Sequence, residues 1–192
     1  MRIPRKLCAI LLPILLHLAS QRAVAQAPAY THPQWRTELF AGFSSLRARP
    51  GKDLDRTTLN GWTLSATTYQ FFPRWGLTAE FSGNGKDGAS QRSFLFGGTY
   101  RGLQRRRIAL TGRILAGVTA WDPALPRPGS YREQTAFTFG FGQSIDFGLS
   151  RNLALRLQPD LRFVRLRDAS NKANLTILQP ISVGLVYQFG SR

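Results

Sequence analysis

The segment Leu153-Ala154-Leu155-Arg156-Leu157-Gln158-Pro159-Asp160-Leu161-Arg162-Phe163 sorts its side chains by position parity. Odd positions are apolar apart from Pro159, while even positions include Arg156, Gln158, Asp160 and Arg162. Successive side chains of a β-strand point to opposite faces, so this register commits one face to an apolar medium and the other to a polar one. The sorting recurs elsewhere. Ile108, Leu110, Ile114, Ala116 and Val118 oppose Thr111, Arg113 and Thr119; Phe137, Phe139 and Phe141 oppose Thr138, Gly140, Gly142 and Ser144; Ile177, Ile181, Val183, Leu185, Tyr187 and Phe189 oppose Thr176, Ser182, Gly184 and Gln188.

Which medium lies on which side follows from the remainder of the chain. Met1 to Lys6 is basic, Leu7 to Ala19 is apolar, and Ala23-Val24-Ala25 is a small-residue cleavage site, so residues 1–25 read as a secretory signal peptide. The apolar run is about 13 residues, short of the roughly 20 of a spanning helix. The only cysteine, Cys8, leaves with this segment, which removes disulfides, thiolate metal sites and cysteine nucleophiles from the mature chain. After residue 25 no apolar run is long enough for a transmembrane helix. A membrane protein without such helices must be a closed barrel, because in hydrocarbon only a helix or a closed sheet satisfies every backbone hydrogen bond.

Eight strands are predicted: Trp35 to Leu46, Gly61 to Phe71, Trp75 to Ser82, Gln91 to Arg101, Arg107 to Trp121, Gln134 to Phe147, Asn152 to Arg165, and Leu175 to Phe189. Most approach the about 9–11 residues with which a tilted strand crosses a bilayer. The connections Arg47 to Asn60, Gly83 to Ser90, Asp122 to Glu133 and Leu166 to Asn174 are long and polar, and those between them are short. Alternating long loops and short turns fit an up-and-down barrel in an outer membrane. The domain plan is a signal peptide over 1–25, an extended leader over 26–34 and one barrel domain over 35–190.

A barrel of eight strands has a lumen just wide enough for side chains, and Gly140, Gly142 and Gly184 relieve crowding there. The polar parity gives that lumen a charge network of Glu38, Glu80, Arg113, Asp146, Arg156, Asp160 and Arg162. Both signs are needed, because an unpaired buried charge costs several kcal/mol. Aromatics gather at strand ends, and Trp35, Trp62, Trp75, Trp121, Tyr187 and Phe189 are the expected interface residues, since amphipathic rings favour headgroup depth.

In this pattern the chain resembles the OmpA-like family of small outer-membrane β-barrels. The residues that carry the resemblance are Asn152 to Arg162 and the closing strand Val183-Gly184-Leu185-Val186-Tyr187-Gln188-Phe189-Gly190. The resemblance implies an all-β, eight-stranded antiparallel up-and-down transmembrane β-barrel in the bacterial outer membrane. It also implies that the terminal aromatic strand is read by the barrel-assembly machinery. Family members usually end on the aromatic itself, whereas Gly190-Ser191-Arg192 follows Phe189 here. No peptidoglycan-binding domain follows the barrel, so a wall-anchoring role is not implied.

The net charge of +16 falls to about +12 once the first 25 residues are removed. With a signal peptide this points away from nucleic acid and toward membrane lipid and lipopolysaccharide phosphates. Arg47, Arg49, Lys52, Arg56, Arg127, Arg132, Arg167 and Lys172 are the loop cations that would meet them. The only histidine after the signal is His32, in the leader, a poor place for a catalytic base. Neither a paired-carboxylate site nor a metal cluster stands out, so no catalytic residue, metal or cofactor is expected. The expected function is that of a non-enzymatic, monomeric envelope protein acting through its extracellular loops. A narrow ion or small-solute channel is the alternative, and a soluble lipocalin-like barrel, with apolar parity inward, is the third reading.

Overall fold

The computed structural model describes residues 35–49, 51, 55–105, 108–123, 131–168 and 170–191. The segments read as signal peptide and leader, with His32, lie outside the described residues, as do Lys52 and Arg127. Eight strands follow one another: β1 (Trp35–Ala48), β2 (Thr57–Thr68), β3 (Trp75–Lys86), β4 (Ala89–Arg105), β5 (Ile108–Asp122), β6 (Gln134–Gly148), β7 (Leu153–Arg167) and β8 (Ala173–Ser191). Each pairs antiparallel with its chain neighbours, and β8 returns to β1, so the sheet closes without an edge. The fold is the eight-stranded antiparallel up-and-down barrel that the alternation predicts.

The ladder fixes the stagger. From Glu38 the paired positions run through Thr67, Thr78, Gly97, Leu115, Gly140 and Arg162 to Leu178. Leu178 lies one step beyond the Gln179–Arg47 pair, beside Ala48, so one circuit climbs ten residues along β1. Such a shear tilts the strands strongly to the barrel axis, within the range of about 35–45° typical of closed barrels.

Strands of 12 to 19 residues exceed what a tilted crossing needs and run past the apolar belt. This changes the expected loops. The predicted connection Gly83 to Ser90 is instead a tight hairpin, with Gly83 to Lys86 paired to Ala89 to Arg92 around Asp87-Gly88. Both turn residues have positive φ, 52° and 82°, the geometry of a two-residue turn whose twist matches its strands. The connection over 168–172 is likewise short, while 49–56 and 123–133 stay long and 69–74 is longer than expected. The asymmetry between the ends therefore lies in strand extension as well as in loop length.

Side chains divide as parity requires. Phe43, Leu64, Phe94, Phe96, Ile114, Phe137, Ile181 and Leu185 are exposed on the outer wall, whereas the charged residues of alternate positions are buried. A continuous apolar exterior around a charged interior is stable only in an apolar medium. This outward greasy parity is the reverse of a soluble lipocalin-type barrel. One end of the barrel carries the start of β1, the end of β8 and the turns 69–74 and 149–152, hereafter the terminal end. The opposite, or loop, end carries 49–56, 87–88, 123–133 and 168–172.

Candidate functional site

The lumen is built from the alternate positions of all eight strands. Its charges come from β1, β3, β4, β5, β6 and β7, and all are buried: Glu38, Glu80, Arg101, Arg113, Asp146, Arg156, Asp160 and Arg162 are each 7% exposed or less. They sort into two groups that share no ion pair. In the first, Glu38 accepts from Arg101 and from Arg156, each at 2.8 Å, and Arg156 Nε donates to Asp146 at 2.6 Å. In the second, Glu80 accepts from Arg113 at 2.6 Å and from Arg162 at 2.5 Å, while Asp160 accepts from both arginines. Each group holds two carboxylates and two guanidiniums. Formal neutrality within each is what a low-dielectric interior demands, since removing one partner leaves an uncompensated charge.

The donor forks are well used. Arg156 makes a two-point contact with Asp146 through Nε and Nη2 and also reaches Glu38. Arg113 makes the same two-point contact with Asp160. Such planar, bidentate pairing is particular to arginine, and the lumen charges include no lysine. Gln158 lies beside this group, and with its amide turned so that the oxygen faces Arg113 it accepts from Nη2 at 2.7 Å. Gly142 stands opposite Asp160 in the β6–β7 ladder, and a Cβ there would collide with the Asp160 carboxylate. The absent side chain is what lets Asp160 turn toward Arg113.

Arg101 is the lumen cation that the residue-by-residue reading omits. Its signal was present in the alternation of Gln91, Ser93 and Thr99 along β4, which carries position 101 inward. Its guanidinium lies 3.4 Å from the centre of the Tyr69 ring, a close cation–π contact. Tyr69, just beyond β2, is buried, and burial with the nearby Glu38 carboxylate raises its phenol above the ordinary range. Arg156 also faces the Phe40 ring, at 5.8 Å.

Hydroxyls and amides fill the space between and around the ion groups. Thr67 bonds Thr78 at 2.8 Å, Thr63 bonds Ser182 at 3.2 Å, Ser93 bonds Thr119 at 2.8 Å, and Thr138 donates to Thr119 at 2.6 Å. Toward the loop end the interior becomes apolar: Leu46, Leu59, Trp121, Tyr131, Val164, Leu166 and Leu178 form a buried cluster. This buried cluster is hereafter the stopper.

Trp121 therefore requires a correction. Expected among the interface aromatics, it is 1% exposed and sits inside the stopper, because β5 parity carries Thr119 and Trp121 inward together. Trp62, Trp75, Tyr187 and Phe189 are exposed on the outer wall. Trp62 meets Phe81 edge-on at 5.1 Å, Trp75 leans on Tyr100 at 4.8 Å, and Tyr187 stacks on Phe189 at 6.0 Å. Trp35 heads β1, paired to Ser191. Among the loop cations, Arg47, Arg49, Arg56, Arg132, Arg167 and Lys172 are exposed at the loop end. Arg92 and Arg165, outward-facing above the belt, join them. Among the described residues no group of acidic, histidine or cysteine side chains is placed to hold a metal ion.

No protein-family model and no curated protein matches the chain. Solved structures do. Neisserial surface protein A aligns with a TM-score of 0.59 at 13% identity, over 80% of this chain and 97% of that one. Ail, the attachment invasion locus protein of Yersinia pestis, aligns at 0.52 and 14% identity, over 81% and 99%. The outer membrane protein OprG from Pseudomonas aeruginosa also aligns at 0.52 and 14%, over 83% and 98%. At these identities the likeness is one of fold, and it spans nearly the whole of each neighbour. The chain is thus a closed eight-stranded barrel with the fold of these small outer-membrane proteins, and its apolar outer belt suits a membrane.

Proposed function

We propose that this chain is a non-enzymatic outer-membrane protein whose role, structural for the envelope or adhesive at its surface, is exercised at the loop end and not through the lumen. The observation that carries this reading is the filled interior: two neutral ion groups, a hydroxyl layer and an apolar stopper occupy the path along the axis. A conducting pore needs unpaired polar groups facing water, and here the guanidiniums are consumed by carboxylates. The ligand chemistry favoured at the loop end is anionic. Arg47, Arg92 and Arg165 project outward where the apolar belt ends, at the depth of the phosphates of lipopolysaccharide. One structural neighbour, Ail, was solved in complex with the heparin analogue sucrose octasulfate, which fits a polyanion-directed surface on this scaffold. The closing strand β8 would present Tyr187 and Phe189 to the assembly machinery, and the edgeless sheet suits a monomer.

The test is reconstitution in planar bilayers whose outer leaflet contains lipopolysaccharide. The barrel is expected to be electrically silent. Its affinity for lipopolysaccharide in titration calorimetry is expected to fall about tenfold in the triple variant Arg47→Gln, Arg92→Gln, Arg165→Gln, with contacts of about 1 kcal/mol each only partly additive. Unitary currents, or an affinity indifferent to the three arginines, would refute the reading.

A further inference from the structure

The exposed charges are divided unequally between the two ends. At the loop end, Asp55, Asp87 and Glu133 are exposed among the cations. At the terminal end the exposed ionic side chains of the described residues are all arginines, Arg36, Arg74, Arg105 and Arg151, and the carboxylates nearest in the fold, Glu38 and Asp146, are sealed in the lumen. A rim of one sign beside a bilayer attracts the opposite one.

One of these arginines, Arg74, adjoins an apolar cleft, and Arg105 lies on the outer face of the neighbouring strand β4, paired to exposed Ile108. The backbone N–H of Tyr69 donates to the Arg36 carbonyl at 2.7 Å, and that of Arg101 donates to the Arg74 carbonyl at 2.8 Å. The turn 69–74 is thereby tied to β1 on one side and to β4, which ends at Arg105, on the other. Directly beside Arg74, the outer wall opens into a cleft lined by Phe71, Phe72, Trp75, Leu77 and Gly98. Phe71 and Phe72 are 69% and 63% exposed, and a Cβ added at Gly98 would meet nothing within 4 Å, so the floor is open.

A ligand suited to both features has an anionic head and an apolar chain. We propose that the terminal end binds an anionic glycerophospholipid of the adjacent leaflet, its phosphate at Arg74 and Arg105 and one acyl chain in the cleft between Phe72 and Trp75. The proposal rests on the membrane-spanning reading but not on the loop-end role. Lipopolysaccharide is a poorer match to this end, because its phosphates lie at the depth of the mixed-charge rim opposite.

The experiment is quenching of tryptophan fluorescence in phosphatidylcholine vesicles doped with acyl-brominated phosphatidylglycerol or, separately, acyl-brominated phosphatidylcholine. The anionic lipid should half-saturate its quenching at about a fivefold lower mole fraction, the strength of one cation–phosphate contact. The variant Arg74→Gln, Arg105→Gln should bring the two lipids to parity, and Arg74→Gln alone, at an exposed position that does not threaten folding, should at least halve the preference. Quenching is read in a Trp35→Phe background, because Trp35 heads β1 at the same end; there Trp75→Phe should remove most of the anionic-specific component, since Trp121 is enclosed and Trp62 stands near the other end. The loop-end triple variant should keep the preference. Equal quenching by both lipids, a preference that survives loss of Arg74, or a specific component that survives Trp75→Phe overturns the proposal while leaving the barrel in the membrane. Absence of quenching by either lipid overturns the membrane reading and the proposal together.

Discussion

Replacing Glu80 by glutamine keeps the side-chain volume and removes one charge from a group of four. Glu80 is 1% exposed and accepts from both Arg113 and Arg162, so the variant leaves two guanidiniums facing the single carboxylate of Asp160. Breaking a buried pair by removing one partner costs about 3–5 kcal/mol, most of it the uncompensated charge. Arg162→Met alone should cost a similar amount, with an excess of negative charge in place of positive. The double variant restores neutrality around the remaining Arg113–Asp160 pair, so its loss should be close to that of one single variant, a coupling of about 3–5 kcal/mol. Pairing Glu80→Gln with Arg101→Met, from the group with which Glu80 shares no ion pair, should show a coupling under about 1 kcal/mol. Urea unfolding of the barrel in lipid vesicles, followed by tryptophan emission and by heat-modifiable gel mobility, measures the wild type, the three single variants and the two doubles. Additive losses in the Glu80–Arg162 cycle, or a coupling of equal size across the two groups, would refute the division into two self-neutral sets.

Three further outcomes are expected. Gly142→Ala drives a methyl into the Asp160 carboxylate and should destabilise the barrel by about 1–3 kcal/mol, whereas Gly98→Ala, in open space on the outer wall, should stay within about 0.5 kcal/mol; equal effects in the same urea assay would contradict the packing. Trp121→Ala removes the largest side chain of the stopper and should cost about 3–5 kcal/mol, and only if the stopper is what seals the axis should it also introduce conductance that the intact barrel lacks. The Tyr69 phenol, raised by burial above its unfolded value of 10.0, stays protonated in the fold at a pH where the unfolded chain ionises. Its contribution is complete below about pH 10 and is lost as pH rises beyond that value; ultraviolet titration should find it ionising above the ordinary tyrosine range, and Tyr69→Phe should flatten the alkaline loss of stability.

The local pattern foretold much of the architecture for a simple reason: the period of two is a property of each strand alone. Leu153 to Phe163 already divides into an outward and an inward set, and the folded β7 keeps that division, with Arg156, Gln158, Asp160 and Arg162 buried. Parity also held the answer for Arg101 and Trp121. For Trp121 composition pulled the other way, since a tryptophan near a strand end reads as a girdle residue.

What depended on register could not be read locally. Glu38 meets Arg101 and Arg156 across 63 and 118 residues of chain, and Glu80 meets Arg162 across 82. Those pairings follow from the ten-residue stagger of the closed sheet, which no single strand encodes. The Asp87-Gly88 turn likewise emerges only when β3 and β4 pair to their ends, drawing glycines and polar residues that look like loop into the ladder. The sequence by itself determined two faces and the media they tolerate. Closure of the barrel decided which charge neutralises which, and it set the aromatic stopper and the one-signed rim at opposite ends, because those neighbours are created by strand pairing and not by sequence proximity.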